Sequence, residues 1–210
     1  MKERDKQYLI KRSMSRHITA IMLTFCVVTL SGQTKDFKID KIDASFGLSY
    51  PKDAIPNGFG IGVLTAIEPK KDINNFSVGT RVGLNILRST PDWDFVSKNL
   101  IDKFDVSLLL TGDYYLTKGR FRPFLGIGTG LFLLSATEGY DITSENGKWK
   151  SYGVKFGGLA RCGIEMPYVR VSFCYNYIGG KEKSSYGHIN FDYISVTVSG
   201  WFKLKKNASR

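Results

Sequence analysis

The sequence predicts an all-β fold in which eight antiparallel strands close an up-and-down transmembrane β-barrel. Three observations carry that reading. From Ile39 onward the chain divides into eight stretches that alternate apolar with small or polar residues, the period of two that a strand with unlike faces imposes. The apolar half of each stretch is nearly free of charge, as a face in contact with hydrocarbon must be. The connections alternate tight and long, which is how a membrane barrel arranges its turns and outer loops.

Taken in order, the strands are read near 39–50, 57–68, 74–88, 102–117, 120–136, 152–166, 168–178 and 190–205. Each has the roughly ten residues that a tilted strand needs to cross a bilayer. The last two show the pattern most cleanly. Val169, Val171, Phe173, Tyr175 and Tyr177 fall opposite Arg170, Ser172, Cys174 and Asn176, and Ile194, Val196, Val198, Phe202 and Leu204 fall opposite Tyr193, Ser195, Thr197, Ser199 and Lys203. Tight connections are expected at 69–73, 118–119 and Pro167, long ones at 89–101, 137–151 and 179–189, and the first outer loop, 51–56, is short. With the amino terminus in the periplasm, the loops that hold Trp93, Tyr140 and Tyr186 fall outside the cell.

Sorting the faces gives an apolar exterior and a polar interior. Phe46, Leu48, Phe59, Ile61, Val63, Val78, Val82, Leu84, Ile86, Val106, Leu108, Leu110, Leu125, Ile127, Leu131, Val154, Phe156 and Ile164 are expected to face lipid. The lumen is expected to hold a charge network of Lys41, Asp43, Arg81, Asp105, Asp113, Lys155, Arg161, Glu165 and Arg170, set among Gly60, Gly62, Gly79, Gly83, Gly126, Gly128, Gly130, Gly157 and Gly163. A soluble eight-stranded barrel shows the reverse, an apolar lumen and a charged outside. The interior charges can be read as an ion path or as a self-neutralising plug. An eight-stranded barrel is only wide enough for its own side chains and unpaired charges inside it are costly, so the plug is the expectation, with Arg81, Arg161 and Arg170 sharing hydrogen bonds with Asp105, Asp113 and Glu165.

Residues 1–33 read as a secretory signal peptide and 34–210 as the barrel. Lys2, Arg4, Lys6, Lys11, Arg12 and Arg16 precede an uncharged, mostly apolar run at 18–30, closed by Ser31 and Gly32; thirteen positions are too few for a spanning helix. Met14 offers an alternative start that leaves a shorter basic region. Cys26 follows bulky Phe25 rather than a small residue, which speaks against lipidation. Of 30 basic and 19 acidic residues, six and two lie in 1–32, so 24 against 17 remain, a net charge of +7. No basic helix or basic-aromatic cluster accompanies that surplus, so no nucleic-acid partner is expected; solvated ends beside anionic lipid account for it.

Other motifs do not carry chemistry. Gly126-Ile127-Gly128-Thr129-Gly130 imitates a phosphate loop but runs on into Leu131, Phe132 and Leu133 without a helix. Closing the hairpin at Pro167 puts Cys162 on the lipid face and Cys174 in the lumen, beyond the reach of a disulfide. His17 and His188 leave catalytic and metal sets without a second histidine in the mature chain. Asn207-Ala208-Ser209 has the form of a glycosylation acceptor, discounted in this context. No catalytic, cofactor or metal residues are therefore assigned.

Arg122-Pro123-Phe124-Leu125-Gly126-Ile127-Gly128-Thr129-Gly130, Gly157-Gly158-Leu159-Ala160-Arg161-Cys162-Gly163-Ile164-Glu165 and Ser199-Gly200-Trp201-Phe202-Lys203-Leu204-Lys205-Lys206 resemble the small outer-membrane β-barrel domain family of Gram-negative bacteria, OmpA-like and PorT-like proteins, over about 39–206. Many such barrels end on an aromatic residue read by the insertion machinery, whereas here Trp201 and Phe202 precede a basic tail. The resemblance implies an outer-membrane location, outer-membrane lipid and the barrel-insertion machinery as partners, and members that serve as anchors, adhesins, narrow pores or secretion accessories. The expectation is a monomeric, non-enzymatic barrel with a structural or surface-interaction role, meeting an extracellular partner through its loops. The alternatives are a small porin or transport accessory, and a membrane-embedded lipid-modifying enzyme whose base would have to be His188.

Overall fold

The computed structural model describes residues 39–52, 59–90, 100–140, 148–184 and 187–203. The signal-peptide reading of 1–33 and the loop positions Trp93 and Tyr186 lie outside the described residues. Eight strands close a barrel: β1 (Lys41–Pro51), β2 (Phe59–Ile73), β3 (Phe76–Thr90), β4 (Leu100–Tyr115), β5 (Arg122–Tyr140), β6 (Lys148–Glu165), β7 (Val169–Ile178) and β10 (Tyr193–Lys203). Every pairing is antiparallel, successive barrel strands pair in turn, and β1 closes the ring on β10 from Lys41↔Lys203 to Pro51↔Tyr193. Both ends of the described chain therefore sit at the rim that also carries the turns 74–75, 116–121 and 166–168, hereafter the turn end; the opposite rim is the loop end.

The strands form where the alternation is strongest. Exposed and buried residues alternate without a break along most of β1, β7 and β10. On the outside, Leu48, Ile61, Val63, Ile86, Leu110, Leu125, Ile127 and Val196 are exposed. Exposed Phe76, Tyr114, Phe121, Tyr168 and Phe202 ring the turn end, and exposed Tyr177 and Trp149 stand toward the loop end. An aliphatic band between aromatic girdles is the outside of a membrane barrel.

Three local features differ from the sequence reading. The first tight turn is Asn74-Asn75, with Asn74 left-handed at φ 56°, and β2 runs through Ile73 rather than ending before Pro69. Proline has no N–H to give, so the β2–β3 ladder lapses between Ile67↔Val82 and Lys70↔Gly79 while pairing with β1 continues through Ile42↔Pro69. On β6, Leu134 pairs with Gly153 and the next residue, Ser135, with Ser151, which makes Tyr152 the extra residue of a bulge. Gly153, at φ 76°, supplies the backbone conformation that bulge requires, and the change of phase turns Tyr152 onto Phe191, ring centroids 5.3 Å apart. Finally, the connection read as a loop at 179–189 contains a small hairpin of its own, β8 (Lys181–Ser184) and β9 (Gly187–Asn190).

Candidate functional site

The turn-end half of the lumen is an ionic plug. Its centre is Arg161 on β6. Nε and Nη2 donate to the two oxygens of Asp113 at 2.7 and 3.0 Å, and Nη1 and Nη2 donate to the two oxygens of Glu68 at 2.8 and 2.6 Å. The fork geometry of guanidinium suits two carboxylates at once. Lys70 joins the same acids, 2.9 Å from Asp113 and 3.4 Å from Glu68, and pairs with Asp43 at 2.8 Å. Arg170 donates to Asp113 at 2.9 Å and lies 3.6 Å over the ring of Phe124. Arg81 meets Glu68 at 3.4 Å, and Thr111 donates to Glu68 at 2.5 Å. Below this cluster, Glu165 accepts from Lys41 at 3.0 Å, from the Tyr115 hydroxyl at 2.5 Å and from Arg122.

Apart from the part-exposed Arg122, these side chains are almost wholly buried, so each carboxylate depends on its partners: a charge removed from water is tolerated only when paired and hydrogen-bonded. Glycine makes room for them. A Cβ on Gly126 would overlap Asp113 Oδ1 and reach Arg161 Cγ at 2.9 Å. Of the glycines that imitate a phosphate loop, Gly126 is clearance for an ion pair, while Gly128 and Gly130 clear the backbone of β4.

The loop-end half is filled differently, and the sequence reading of a polar lumen throughout is corrected there. Leu64, Leu87, Leu109, Phe132, Leu134 and Leu159 point inward and are buried, capped by Ile189, Phe191 and Tyr193. The residues that lead from the β8–β9 hairpin into β10 form this cap, and polar bonds pin it. Lys103 Nζ donates to Asn190 O at 2.8 Å, and the Ile178 amide donates to Asp192 Oδ1 at 2.8 Å. At the rim, Lys52 Nζ lies 3.2 Å from the Tyr175 hydroxyl and 3.7 Å from Asp192; the hydrogen bond to Tyr175, then the nearby acid, raise the Lys52 pKa.

Of the predicted network, Lys41, Asp43, Arg81, Asp113, Arg161, Glu165 and Arg170 come together at the turn end. Asp105 and Lys155 do not. Asp105 is eight residues up β4 from Asp113, about 26 Å along an extended strand, and accepts instead from Asn85 at 2.9 Å, which in turn accepts from Ser49 at 2.7 Å. Lys155, partly exposed, pairs with Glu182 on β8. Glu68, Lys70, Tyr115 and Arg122 are members that sequence reasoning missed. The alternation of Gly62, Leu64 and Ala66 continues inward to Glu68, already inside the predicted strand, and on to Lys70, which ending that strand before Pro69 hid. Cys162 is exposed and Cys174 buried, and both are free thiols, with Cys162 in register with Phe173 and Cys174 with Arg161. Among the described residues no three His, Cys, Asp or Glu side chains are placed to hold a metal ion.

No protein-family model matches the chain, and no curated protein sequence matches it. Three solved structures similar to it are Neisserial surface protein A, at 15% identity and a TM-score of 0.49 over 76% of this chain and 95% of that one; Ail, the attachment invasion locus protein of Yersinia pestis, at 9% and 0.42 over 79% and 100%; and the N-terminal β-barrel domain of Pseudomonas aeruginosa OprF, at 12% and 0.37 over 78% and 98%. The chain itself is a closed eight-stranded antiparallel barrel, apolar outside and charged in the turn-end half of its lumen, the arrangement of a small outer-membrane barrel.

Proposed function

We propose that the protein is a non-enzymatic outer-membrane barrel, delivered by the segment 1–33 and seated with its turn end in the periplasm, whose role is structural or one of surface interaction through the loop end. One observation carries this reading. The lumen is filled along its length, by the Arg161–Glu68–Asp113 network toward one end and the Phe132–Leu134–Phe191 cluster toward the other. A filled barrel offers its rims for contact with other molecules, and the buried carboxylates of the plug are engaged by cations rather than free to act as bases. The parity of tight turns and longer connections supports the orientation.

The test is topology. Epitope tags inserted near Asn146 or Ser185 should be detected on intact cells. Detection only after permeabilisation overturns the orientation, and recovery of the protein outside the outer-membrane fraction overturns the location.

A further inference from the structure

We propose that the cleft at the turn end binds the phosphate headgroup of an anionic phospholipid. The inference rests on the outer-membrane placement proposed above. The cleft measures about 810 Å³ and opens between the 116–121 and 166–168 turns and the ends of β1 and β10, a size within the roughly 300–1,000 Å³ of small-ligand pockets.

Its charge balance selects an anion. The two acids in its wall are already engaged: Glu165 is buried under Lys41, Tyr115 and Arg122, and Asp72 stands 3.5 Å from Lys41. Three exposed cations share the cleft, Lys118 and Arg120 on the turn and Lys203 at the end of β10. Among the described residues none of the three has a carboxylate partner; Lys203 lies only over the Trp201 ring, 5.4 Å from its centroid. A zwitterionic headgroup would bring an ammonium to a wall whose acids are taken, whereas a net negative headgroup meets cations alone.

The aromatic side chains select a lipid over a soluble anion. Phe121, Tyr168 and Phe202 are 67%, 79% and 69% exposed around this rim, and aromatic rings at a barrel end mark the level of the headgroups. Trp201 is fixed as a wall, its Nε1 donating to Met166 O at 3.2 Å and its ring stacked on Tyr168 at 6.4 Å. A headgroup seated against Arg120 and Lys118 would leave its acyl chains among these rings.

The experiment uses the full chain, refolded in detergent and checked for heat-modifiable migration, with lipid retention measured by native mass spectrometry. Phosphatidylglycerol and phosphatidylcholine of identical chains, and inorganic phosphate as competitor, are compared on the wild type, on Lys118→Ala/Arg120→Ala and on Lys52→Ala at the opposite rim. Phosphatidylglycerol should be retained in preference, should weaken about thirtyfold in the double variant at roughly the contribution expected of two surface cations, and should be unchanged in Lys52→Ala. Equal retention of both lipids, equal loss in Lys52→Ala, or displacement of phosphatidylglycerol by an equal concentration of phosphate overturns the lipid site. A folded protein without the preference refutes this site alone, whereas a wild type that does not enter bilayers refutes the membrane placement as well.

Discussion

Arg161 and Asp113 stand on strands that are not neighbours, yet their side chains meet edge to edge, Nε to Oδ1 at 2.7 Å and Nη2 to Oδ2 at 3.0 Å. The strand between them presents Gly126 in register with both, Asp113↔Gly126 on one side and Gly126↔Arg161 on the other. The ion pair passes over β5 because β5 has no side chain there.

Gly126→Ala should therefore destabilise the barrel by about 1–3 kcal/mol, the usual cost of overpacking, read as a lower midpoint in urea unfolding from detergent or lipid. Gly112→Ala, where an added Cβ meets nothing within 4 Å, should stay within roughly 0.5 kcal/mol of wild type. Equal effects of the two would remove the clearance explanation.

Arg161→Met leaves Glu68 and Asp113 buried with fewer partners and should cost about 3–5 kcal/mol. Adding Glu68→Gln should recover part of the loss, giving a coupling energy of roughly 0.5–3 kcal/mol in a double-mutant cycle. Strict additivity would mean that the two side chains do not share one network.

On the last strand, Val196 and Val198 are 49% and 52% exposed while Ser195 and Thr197 are 2% and 1% exposed. Arginine at either valine should cost roughly 2–4 kcal/mol through contact with hydrocarbon near the bilayer midplane. A cysteine scan of 193–202 with a lipid-phase quencher should show strong quenching at even positions and little at 193, 195, 197 and 199. Uniform quenching would contradict the alternation.

Much of this was legible in the sequence because a membrane barrel writes its faces in a period of two. Leu48, Ile127 and Val196 announce the outside, and Arg161, Arg170 and Glu165 the inside, on strands whose boundaries differ by only a few residues from those observed. What escaped has particular causes. Pro69 reads as a strand end, yet it interrupts only the ladder to β3, so Lys70 was assigned to a turn instead of the plug. Leu108-Leu109-Leu110 and Leu131-Phe132-Leu133-Leu134 are apolar on both faces; an uninterrupted run does not say which side holds the lumen, so the apolar seal at the loop end was not read from it. The bulge at Tyr152 shifts the phase by one residue, and sequence spacing alone cannot place such a shift. Pairing within the plug depends on shear between strands, which brings Arg161 to Glu68 and leaves Asp105 with Asn85.

Ionic plug and apolar seal together close the lumen. Planar bilayers containing the purified, heat-modifiable protein test it most directly: the wild type should show no stable conductance steps under an applied voltage, and reproducible stepwise conductance from the correctly folded wild type would contradict a closed lumen and make the protein a pore.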